Sequence, residues 1–546
     1  MPPVINPGQR PRALAAAISL ALAASGAHAA TFSVTSSDDA GPGTLRQAIL
    51  DANSQAGPHV IEMSAISGDT ITLASGLPHI YGEDVELQGS QVTLSGDNQH
   101  ECLGVVYAAL SVADITVTEC SYSGIWAYAS DLEISDSTIT GNNGYYGGGV
   151  DAYFSNLTIS DSTISNNSAA SVGGGIYANG NLTISNSVIS DNSAGYEGGG
   201  LLARAYGTGA SAHIEHTVVS GNDADNAAGL SVGGFETASL INSHVSDNTA
   251  GHFSGGIEFF IEGDNAQLTI SGSTLSGNSA ANGAGAGRVA FASYDGSAQT
   301  TVHNTTISSN SGGDLGGLDI AMFGSGNEAV FIDGVTVTDN DGDDVGGLGL
   351  FSYLGGSAGF EIRNSIIAGN TSSGGDADLG MLQGGPSGPA SAFGSGANSG
   401  PSATQVDINV NYTLLGTAPS APEFILDAVS QALVGEDPVL GPLADNGGPT
   451  PTHLPGNSGA GVDVIPSGTS GCGDDFNIDQ HGDPRPEPGG SDCDLGSVEL
   501  QDNGGGDPDP EPRAVPVPVN QPLALGILAF GAGLLGLLGL RRRRDG

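Results

Sequence analysis

The residues best suited to metal chemistry form one acidic stretch from Asp339 to Asp344, with the sequence Asp-Asn-Asp-Gly-Asp-Asp. Alternate carboxylates at a turn are typical of calcium loops, because Ca²⁺ is bound by several oxygen ligands. The spacing is not that of an EF-hand, since the Gly comes at the fourth position and no Glu follows at the required distance. We expect Ca²⁺, the one cofactor that the sequence suggests, to bind at Asp339, Asp341 and Asp343.

Groups that could perform acid–base chemistry on a polysaccharide are scattered along the chain. A hydrolase needs paired carboxylates, and a lyase needs a basic residue beside bound Ca²⁺. Arg204, Arg288 and Arg363 lie 12, 10 and 23 residues after the asparagine that ends the preceding repeat (described below), so we predict solvated surface residues rather than one patch. Walker and His-Glu-x-x-His motifs are absent. The sequence therefore predicts no catalytic residue and favours a protein that is not an enzyme.

The four cysteines form two pairs that are close in sequence, Cys102 with Cys120 and Cys472 with Cys493. Four cysteines allow three disulfide patterns, and the sequence alone does not decide among them. We favour the local pairing because it closes short loops, and we expect an oxidising compartment. A structural zinc site is not expected, since no Cys-x-x-Cys spacing occurs.

A repeat that ends in Asn organises the middle of the chain. Segments such as ISDSTITGN, ISNSVISDN and IRNSIIAGN share one pattern, and most are followed by a Gly-rich step and an apolar residue. The repeated asparagines, 25 to 32 residues apart, are Asn142, Asn167, Asn192, Asn222, Asn248, Asn278, Asn310, Asn340 and Asn370.

Apolar residues alternate with Ser and Thr within each unit, which predicts short strands separated by turns. One unit cannot bury its apolar face alone, whereas stacked units can. The sequence therefore predicts an all-β fold, a right-handed parallel β-helix of the pectin-lyase-like type, with roughly 11 or 12 coils over residues 81–415. We expect the asparagines at a tight corner, in the left-handed conformation and stacked as a hydrogen-bonded ladder, with Cys120 in place of Asn in an earlier coil.

The start of the rod is predicted to be capped, because a solenoid otherwise exposes its core at each end. Residues 30–80 are assigned to this N-terminal cap and the first strands. A strand is followed by a short helix with Leu45, Ala48, Ile49 and Ala52 on one face and Thr44 as its N-cap. This opening resembles exported bacterial β-helix proteins with a similar strand and GTLRQAI-type helix.

Both termini carry the features of targeting segments. Residues 1–29 form a predicted signal peptide with a basic start, an apolar run and an Ala-x-Ala cleavage site. Residues 371–405 read as a Gly/Ser-rich loop and residues 501–521 as an acidic, Pro-rich stalk. Residues 522–546 combine a membrane-spanning apolar run with an Arg tail that is expected to stay cytoplasmic.

The C-terminal third carries two resemblances. The blocks NYTLLG, EDPVLGPLADNGGPTPTHLPGNSGAGVD, DQHGDPRP and CDLGSVE resemble the choice-of-anchor Q domain of bacterial surface proteins, and we assign that domain to residues 416–500. The final residues resemble the PEP-CTERM and IPTL-CTERM sorting signals of Gram-negative bacteria, although VNQP replaces their usual lead-in. These resemblances imply export, handling by translocation machinery and a sorting protease, and anchoring at the cell surface or outer membrane or release after tail cleavage.

The charge of the chain limits the classes of partner that it is expected to bind. The formal net charge is −47 and all 12 basic residues are Arg, so the body should repel nucleic acid and anionic membranes. We expect an exported, surface-displayed structural or adhesin-like protein that contacts extracellular carbohydrate or protein, with membrane contact only through its C-terminal segment. The alternative is a polysaccharide lyase or hydrolase. Three or more Asp, Glu, Arg or His residues at equivalent coil positions on one face would favour that alternative.

Overall fold

The structure, a computed structural model, describes residues 30–205, 209–293, 296–323, 327–352, 358–381, 407–420, 424–425, 431–488, 490 and 492–501. The predicted signal peptide 1–29, most of the predicted Gly/Ser-rich loop, the stalk beyond residue 501 and the C-terminal segment 522–546 lie outside the described residues. The same holds for a second structural unit, Asn503–Gly546.

Each regular coil contains four short strands joined by tight turns. In one coil the chain passes through Asn156–Ser160, Thr163–Ser165, Ser168–Val172 and Ile176–Ala178. Leu157 and Ile159 point into the core while Asn156 and Thr158 are exposed, which is the alternation expected of a half-buried strand.

Strands at equivalent coil positions pair in parallel and form three long sheets. In the described residues sheet 1 has 25 strands, and it contains the first two strands of each coil. Their bounds are Ala30–Ser33, His59–Glu62, Thr70–Thr72, Val85–Ser95, Ala109–Thr118, Asp131–Ser135, Thr138–Thr140, Asn156–Ser160, Thr163–Ser165, Leu182–Ser185, Val188–Ser190, Ser211–Glu215, Val218–Ser220, Thr237–Ile241, His244–Ser246, Gln267–Ser271, Thr274–Ser276, Ser297–Ser308, Asn327–Thr338, Ala358–Arg363, Ile366–Ile367, Asp407–Asn411, Leu414–Leu415, Phe424–Ile425 and Leu433–Val434.

The other two sheets complete the coil. Sheet 2 consists of nine strands: Asn143–Tyr146, Ser168–Val172, Ser193–Glu197, Asp223–Asn226, Thr249–His252, Ser279–Ala280, Ser311–Gly312, Asp341–Gly342 and Thr371–Ser372. Sheet 3 consists of twelve strands: Ile80–Tyr81, Leu103–Val106, Ile125–Tyr128, Val150–Tyr153, Ile176–Ala178, Leu201–Arg204, Leu230–Phe235, Ile257–Glu262, Gly287–Ala292, Leu318–Met322, Leu348–Ser352 and Leu379–Met381. With one strand of sheet 3 per coil, the described rod has about twelve coils, as the repeat predicts.

The core is a stack of equivalent apolar side chains. Ile139 pairs in register with Ile164, which pairs with Ile189, and the same position continues as Val or Leu in the following coils. These residues belong to one continuous cluster that runs from Val34 to Leu415. Parallel pairing extends past residue 415 to Leu433–Val434, so the rod is slightly longer than its predicted bounds.

The repeated asparagines form a buried ladder along the rod. The backbone N–H and Nδ2 of Asn167 both donate to Oδ1 of Asn192 at 3.0 Å, and Nδ2 also donates to the carbonyl of Ile139 at 2.9 Å. Each amide therefore connects three consecutive coils. The ladder starts at Cys120, whose N–H donates to Asn142, and it ends at Asp378, whose carboxylate accepts from Asn370.

The predicted left-handed conformation of the ladder asparagines is wrong, because the residue before each one takes it instead. Asn166, Asp191 and Asp339 have φ values of 56°, 56° and 59°. The bend at that position turns the following Asn inward, where its amide replaces the hydrogen bonds that water would supply.

A second ladder, formed by hydroxyl groups, lies at the turn between the first and the second strand of each coil, both of which belong to sheet 1. The N–H of Ser137 donates to Ser162 Oγ at 3.1 Å, and the N–H of Ser162 donates to Ser187 Oγ at 3.2 Å. Each hydroxyl in turn donates to a carbonyl two residues earlier. The repeated Ser of ISDS and ISNS was present in the sequence, but its role depends on a register that only the stacked coils reveal.

The N-terminal cap forms as predicted. Helix α1, Leu45–Asn53, is capped by Thr44, whose side chain accepts from the N–H of Gln47. Its buried residues are Leu45, Ala48, Ile49 and Ala52, which cover the first coil. A single 3-10 turn, Ser64–Ile66, follows. Within the described ranges no helix is long and apolar enough to cross a membrane.

Residues 431–500 contain little regular structure and pack along the side of the rod. One short antiparallel pair joins Ile465–Pro466 to Asp492–Cys493. Gln480 contacts sheet 1 at the second strand position of two consecutive coils. Its Oε1 accepts from Thr306 Oγ1 at 2.8 Å, and its Nε2 donates to Thr274 Oγ1 at 2.9 Å. Phe476 is fully buried over Gly334. This region therefore covers the outer face of the last regular coils.

The structure joins Cys102 to Cys120 and Cys472 to Cys493, the pairing that the sequence analysis favours. The Cα atoms of the pairs are 5.8 and 5.9 Å apart. The first disulfide fixes the end of the Asn ladder, since Cys120 occupies a ladder position. The second lies in the core of the C-terminal region, beside Phe476 and Leu495.

Candidate functional site

The outward-facing side chains of sheet 3 form the candidate functional face. The residue after each Gly-Gly-apolar step points away from the core, because its neighbours, such as Val150 and Ala152, are core residues. Register pairing aligns these positions from coil to coil. We call them the outer row: Trp126, Asp151, Tyr177, Leu202, Ser231, Glu258, Arg288 and Asp319.

Aromatic side chains cover the outer face of sheet 3 over five consecutive coils. We call this set the aromatic stripe: Tyr81, Tyr107, Trp126, Tyr128, Tyr153, Phe154 and Tyr177. The ring centroids of Tyr128 and Tyr153 are 6.0 Å apart with an interplanar angle of 15°, and those of Tyr153 and Tyr177 are 6.3 Å apart at 21°. With coils about 4.8 Å apart, the stripe spans roughly 19 Å along the rod.

Much of this stripe is open to solvent. Tyr81, Tyr107 and Tyr153 are 60%, 56% and 37% exposed. Nine of the 13 tyrosines fall between residues 81 and 196, although that segment is about a fifth of the chain. Exposed apolar patches on soluble proteins commonly mark binding surfaces, and rings already held in stacks lose little freedom when a ligand binds.

Asp151 lies beneath the aromatic layer, between Trp126 and Tyr177 in the outer row. It is only 5% exposed, and its Oδ1 atom is buried without a hydrogen-bond partner. Burial raises the pKa of Asp151 to about 7, because the charged carboxylate loses its water without gaining a counter-charge. Sequence reasoning missed this residue.

A charged cluster occupies the outer row several coils further on. Glu197 accepts from Ser231 Oγ at 2.7 Å and also forms an ion pair with Arg204. Arg288 Nε donates to Asp319 Oδ2 at 2.8 Å, and both side chains are buried. Glu258 pairs in register with Arg288. We call Glu197, Arg204, Glu258, Arg288 and Asp319 the charged cluster.

Burial dominates the electrostatics of this cluster. It raises the pKa of Glu258, an effect that Arg288 opposes and the Glu197 carboxylate reinforces. It also raises the pKa of Asp319, again against the effect of the Arg288 guanidinium. Two carboxylates are thus held close to two guanidinium groups with their ionisation tuned by desolvation, an arrangement found at many functional sites.

The prediction that Arg288 is a solvated surface residue is wrong, because the guanidinium is buried in an ion pair. The sequence comparison missed this because it was made among the Arg residues alone, whereas Glu258 and Arg288 each lie 10 residues after a ladder Asn and Asp319 lies 9 residues after one. Glu258, Arg288 and Asp319 pair in register in three consecutive coils, and Glu258 and Asp319 each follow a Gly-Gly-apolar step directly, as in GGIE and GGLD. Three charged residues at equivalent coil positions are the feature that the sequence analysis assigned to an enzyme.

The structure does not bring the predicted calcium ligands together. Asp341 accepts from Thr371 Oγ1 and Asp343 Oδ1 accepts from Ser373 Oγ at 2.8 Å, so both carboxylates bond to the next coil. Asp339 occupies the left-handed turn position. Among the described residues, the ligand atoms of Asp339, Asp341 and Asp343 do not form a group within 4.8 Å of one another.

Among the described residues, one group of three potential metal ligands has its atoms within 4.8 Å, namely Asp479, His481 and Asp483. The Asp479 carboxylate already stabilises the turn, because its Oδ1 accepts from the N–H groups of His481 and Asp483 at 2.8 Å. His481 Nε2 is 2.7 Å from Thr452 Oγ1. The group is explained as a structural turn.

The C-terminal region, residues 431–500, contains a buried polar hub. Arg485 donates to Glu499 Oε2 at 3.1 Å and to the carbonyl groups of Asp494 and Gly496, and its guanidinium lies 4.2 Å from the Phe476 ring. Burial raises the pKa of Glu499 to about 7, with Arg485 opposing the shift. These residues hold the C-terminal region in shape and do not face the outer row.

Two cavities lie away from sheet 3. One, of about 370 Å³, is lined by Ser297, Gln299 and Asn327 on sheet 1. The other, of about 330 Å³, lies between Asp339 and residues 436–441. Neither contains an aromatic side chain, so the outer row is the stronger candidate.

Comparison with known families supports the fold. Residues 79–222 and 108–307 match the family described as right handed beta helix region, and the chain is similar to that family over these coils. The molecule is thus a right-handed parallel β-helix. Neither the curated proteins nor the solved structures gave a match.

Proposed function

We propose that this protein is an exported rod that binds an extended glycan along the aromatic stripe. The observation that carries the proposal is the run of ring contacts over five consecutive coils, edge-to-face from Tyr81 to Tyr128 and stacked from Tyr128 to Tyr177. Within this run Tyr81, Tyr107 and Tyr153 are exposed. The apolar faces of sugar rings stack on aromatic faces, and a linear glycan presents such faces at regular intervals. A solenoid repeats its side chains at an equally regular spacing along its axis.

The shape of the stripe favours a glycan over a protein partner. A stable protein interface needs a broad patch of about 800 Å² on each side, with apolar residues surrounded by a polar rim. The stripe is long and narrow, and it follows one line of the coils. Acidic charge over the rest of the chain argues against an anionic ligand.

Export and surface display are part of the same proposal. The signal peptide, the choice-of-anchor Q resemblance over residues 416–500 and the PEP-CTERM-like or IPTL-CTERM-like tail support it from the sequence. The two disulfides support it independently, because disulfides persist in oxidising compartments, and no free cysteine is present in the chain. We place the protein at the surface or outer membrane of a Gram-negative bacterium, or in its medium after tail cleavage.

A glycan array with purified wild-type protein tests the binding. We expect linear oligosaccharides to bind, and a Tyr128→Ala/Tyr153→Ala variant to lose at least about tenfold in affinity. Tyr196→Ala is the matched control, because Tyr196 is 52% exposed but lies outside the stripe. Failure of the wild type to bind any glycan, or an equal loss with the control, would contradict the proposal.

A carbohydrate-active enzyme is the second candidate function, and the charged cluster is the observation that favours it. Paired carboxylates with different environments are what general acid–base cleavage of a glycosidic bond requires. The assay is incubation with polysaccharides and detection of reducing or unsaturated ends, with Glu258→Gln as the comparison. Release of such ends by the wild type but not by Glu258→Gln would establish an enzyme, and no release would leave the cluster as a structural network.

A further inference from the structure

We propose that Asp151 binds the ammonium group of an amino sugar, so that the preferred glycan of the aromatic stripe carries free amines. This inference rests on the proposed glycan binding and names the ligand class of the same face. It depends on four observations about Asp151: its place in the stripe, its unpaired oxygen, the lack of a nearby protein cation, and the rings around it.

The position of Asp151 places a carboxylate under the rings that would hold the sugar. Its neighbours Val150 and Ala152 fill the core, so the Asp151 side chain is directed to the outer face. In register it lies between Trp126 and Tyr177, which both belong to the stripe. A sugar stacked on these rings would bring its substituents to this carboxylate.

The carboxylate lacks a partner within the protein. Asp151 is 95% buried and its Oδ1 forms no hydrogen bond. A buried polar atom without a partner costs free energy, and an unpaired buried charge costs more. A ligand that donates a hydrogen bond and carries positive charge would offset both costs.

Among the described residues, no Lys or Arg forms an ion pair with this carboxylate. The chain has no Lys, and no Arg occurs between Arg46 and Arg204. Of the nearby charged groups, Glu101 is paired with His79 at 3.0 Å. Burial raises the pKa of Tyr122, and the Asp151 and Glu101 carboxylates raise it further, so the potential around this ring is negative.

The rings themselves suit a cation. Trp126 and Tyr128 are stacked 6.3 Å apart, and the exposed Tyr146 approaches Tyr177 at 5.7 Å. Aromatic faces attract cations through their quadrupole, most strongly where water is displaced. A carboxylate combined with several ring faces selects a ligand that is both flat-sided and positively charged, which describes a glycan of free amino sugars.

Titration calorimetry near neutral pH tests the inference with three probes: a glucosamine tetramer, its fully N-acetylated counterpart and the polyamine spermine. We expect the wild type to bind the free-amine tetramer at least about tenfold more tightly than the acetylated one. Asp151→Asn should abolish this preference and retain binding of the acetylated tetramer. Asp131→Asn is the matched control, because Asp131 is an exposed carboxylate on sheet 1.

The outcomes separate this inference from glycan binding itself. Equal affinities for the two tetramers, or an unchanged preference in Asp151→Asn, would overturn the role of Asp151 while leaving the stripe as a glycan site. Spermine binding as tightly as the free-amine tetramer would overturn the requirement for a sugar. If Asp151→Asn loses all binding, a thermal unfolding midpoint no lower than that of the wild type and an unaltered circular dichroism spectrum would establish a direct role, and a lowered midpoint would overturn it.

Discussion

At the scale of single residues, each ladder asparagine forms hydrogen bonds that connect three consecutive coils. Asn248 is fully buried, its Nδ2 donates to the carbonyl of Val219 and to Asn278 Oδ1, and its own Oδ1 accepts from Asn222. The corner of each coil has no room for water, so the amide groups replace it. The ladder therefore depends on each member, and loss of one amide leaves groups unpaired in two neighbouring coils.

We expect Asn248→Ala to destabilise the rod by roughly 2–4 kcal/mol, because it leaves buried donors and acceptors without partners. Urea denaturation measures the change. Asn181→Ala is the control, since Asn181 stacks on Asn156 in the same way but is exposed, and it should cost less than about 0.5 kcal/mol. Equal effects of the two substitutions would contradict a stabilising role for the buried ladder.

Asp151 gives a pH-dependent prediction at the same scale. Its folded pKa of about 7 lies above the ordinary value of 3.8, so the folded state retains a proton that the unfolded state releases. The stability associated with this group is therefore fully present below about pH 4 and is lost as the pH rises to about 7. The stability of Asp151→Asn relative to wild type should rise by roughly 2–4 kcal/mol across this window.

Thermal unfolding midpoints of both proteins between pH 4 and pH 8 measure this difference. Other groups with raised pKa values, such as Glu499, are common to both proteins and cancel in the comparison. A difference that does not change with pH would show that Asp151 ionises as an ordinary surface carboxylate.

At the scale of secondary-structure elements, the C-terminal region and the rod are joined through a polar contact. Gln480 is buried and bonds to Ser273 and Thr274 in one coil, to Thr306 in the next, and to Thr450 in its own region. The positions equivalent to Thr274 in earlier coils, such as Thr138 and Thr163, are partly exposed. Residues 431–500 cover this position in the later coils, and this contact accounts for the burial of Thr274 and Thr306.

Gln480→Ala should detach the C-terminal region locally and cost roughly 2–3 kcal/mol, because several buried groups lose their partner. Hydrogen exchange should speed up in Thr274–Ser276 and in the second half of Ser297–Ser308, while the coils before residue 240 keep their protection. Gln299→Ala on the exposed part of sheet 1 is the control and should change neither region. Unchanged exchange in Gln480→Ala would contradict docking through this residue.

The elements differ in how far the sequence could predict them. Helix α1 and its four buried residues follow from local periodicity and an N-cap, and both are confirmed. The coils follow from a repeat in which every unit gives the same signal. The outer row was missed because Asp151, Glu258 and Arg288 look unrelated until the coils are stacked in register. The C-terminal docking was missed because its contacts join residues more than 170 positions apart.

At the scale of the whole molecule, the aromatic stripe and the C-terminal region lie in different parts of a rod of about twelve coils. The aromatic stripe lies on the early coils, and the charged cluster follows on the same face. The C-terminal region covers a different sheet of the last coils.

The central claim is that the aromatic stripe binds a glycan lengthwise, and the dependence of affinity on glycan length tests it most directly. Calorimetric titration with linear oligosaccharides of increasing length should show affinity rising with each added sugar and levelling off once the ligand spans the stripe, roughly 19 Å. The Tyr128→Ala/Tyr153→Ala variant should lose this length dependence. Affinity that is independent of length in the wild type, or a length dependence that survives in the variant, would contradict lengthwise binding.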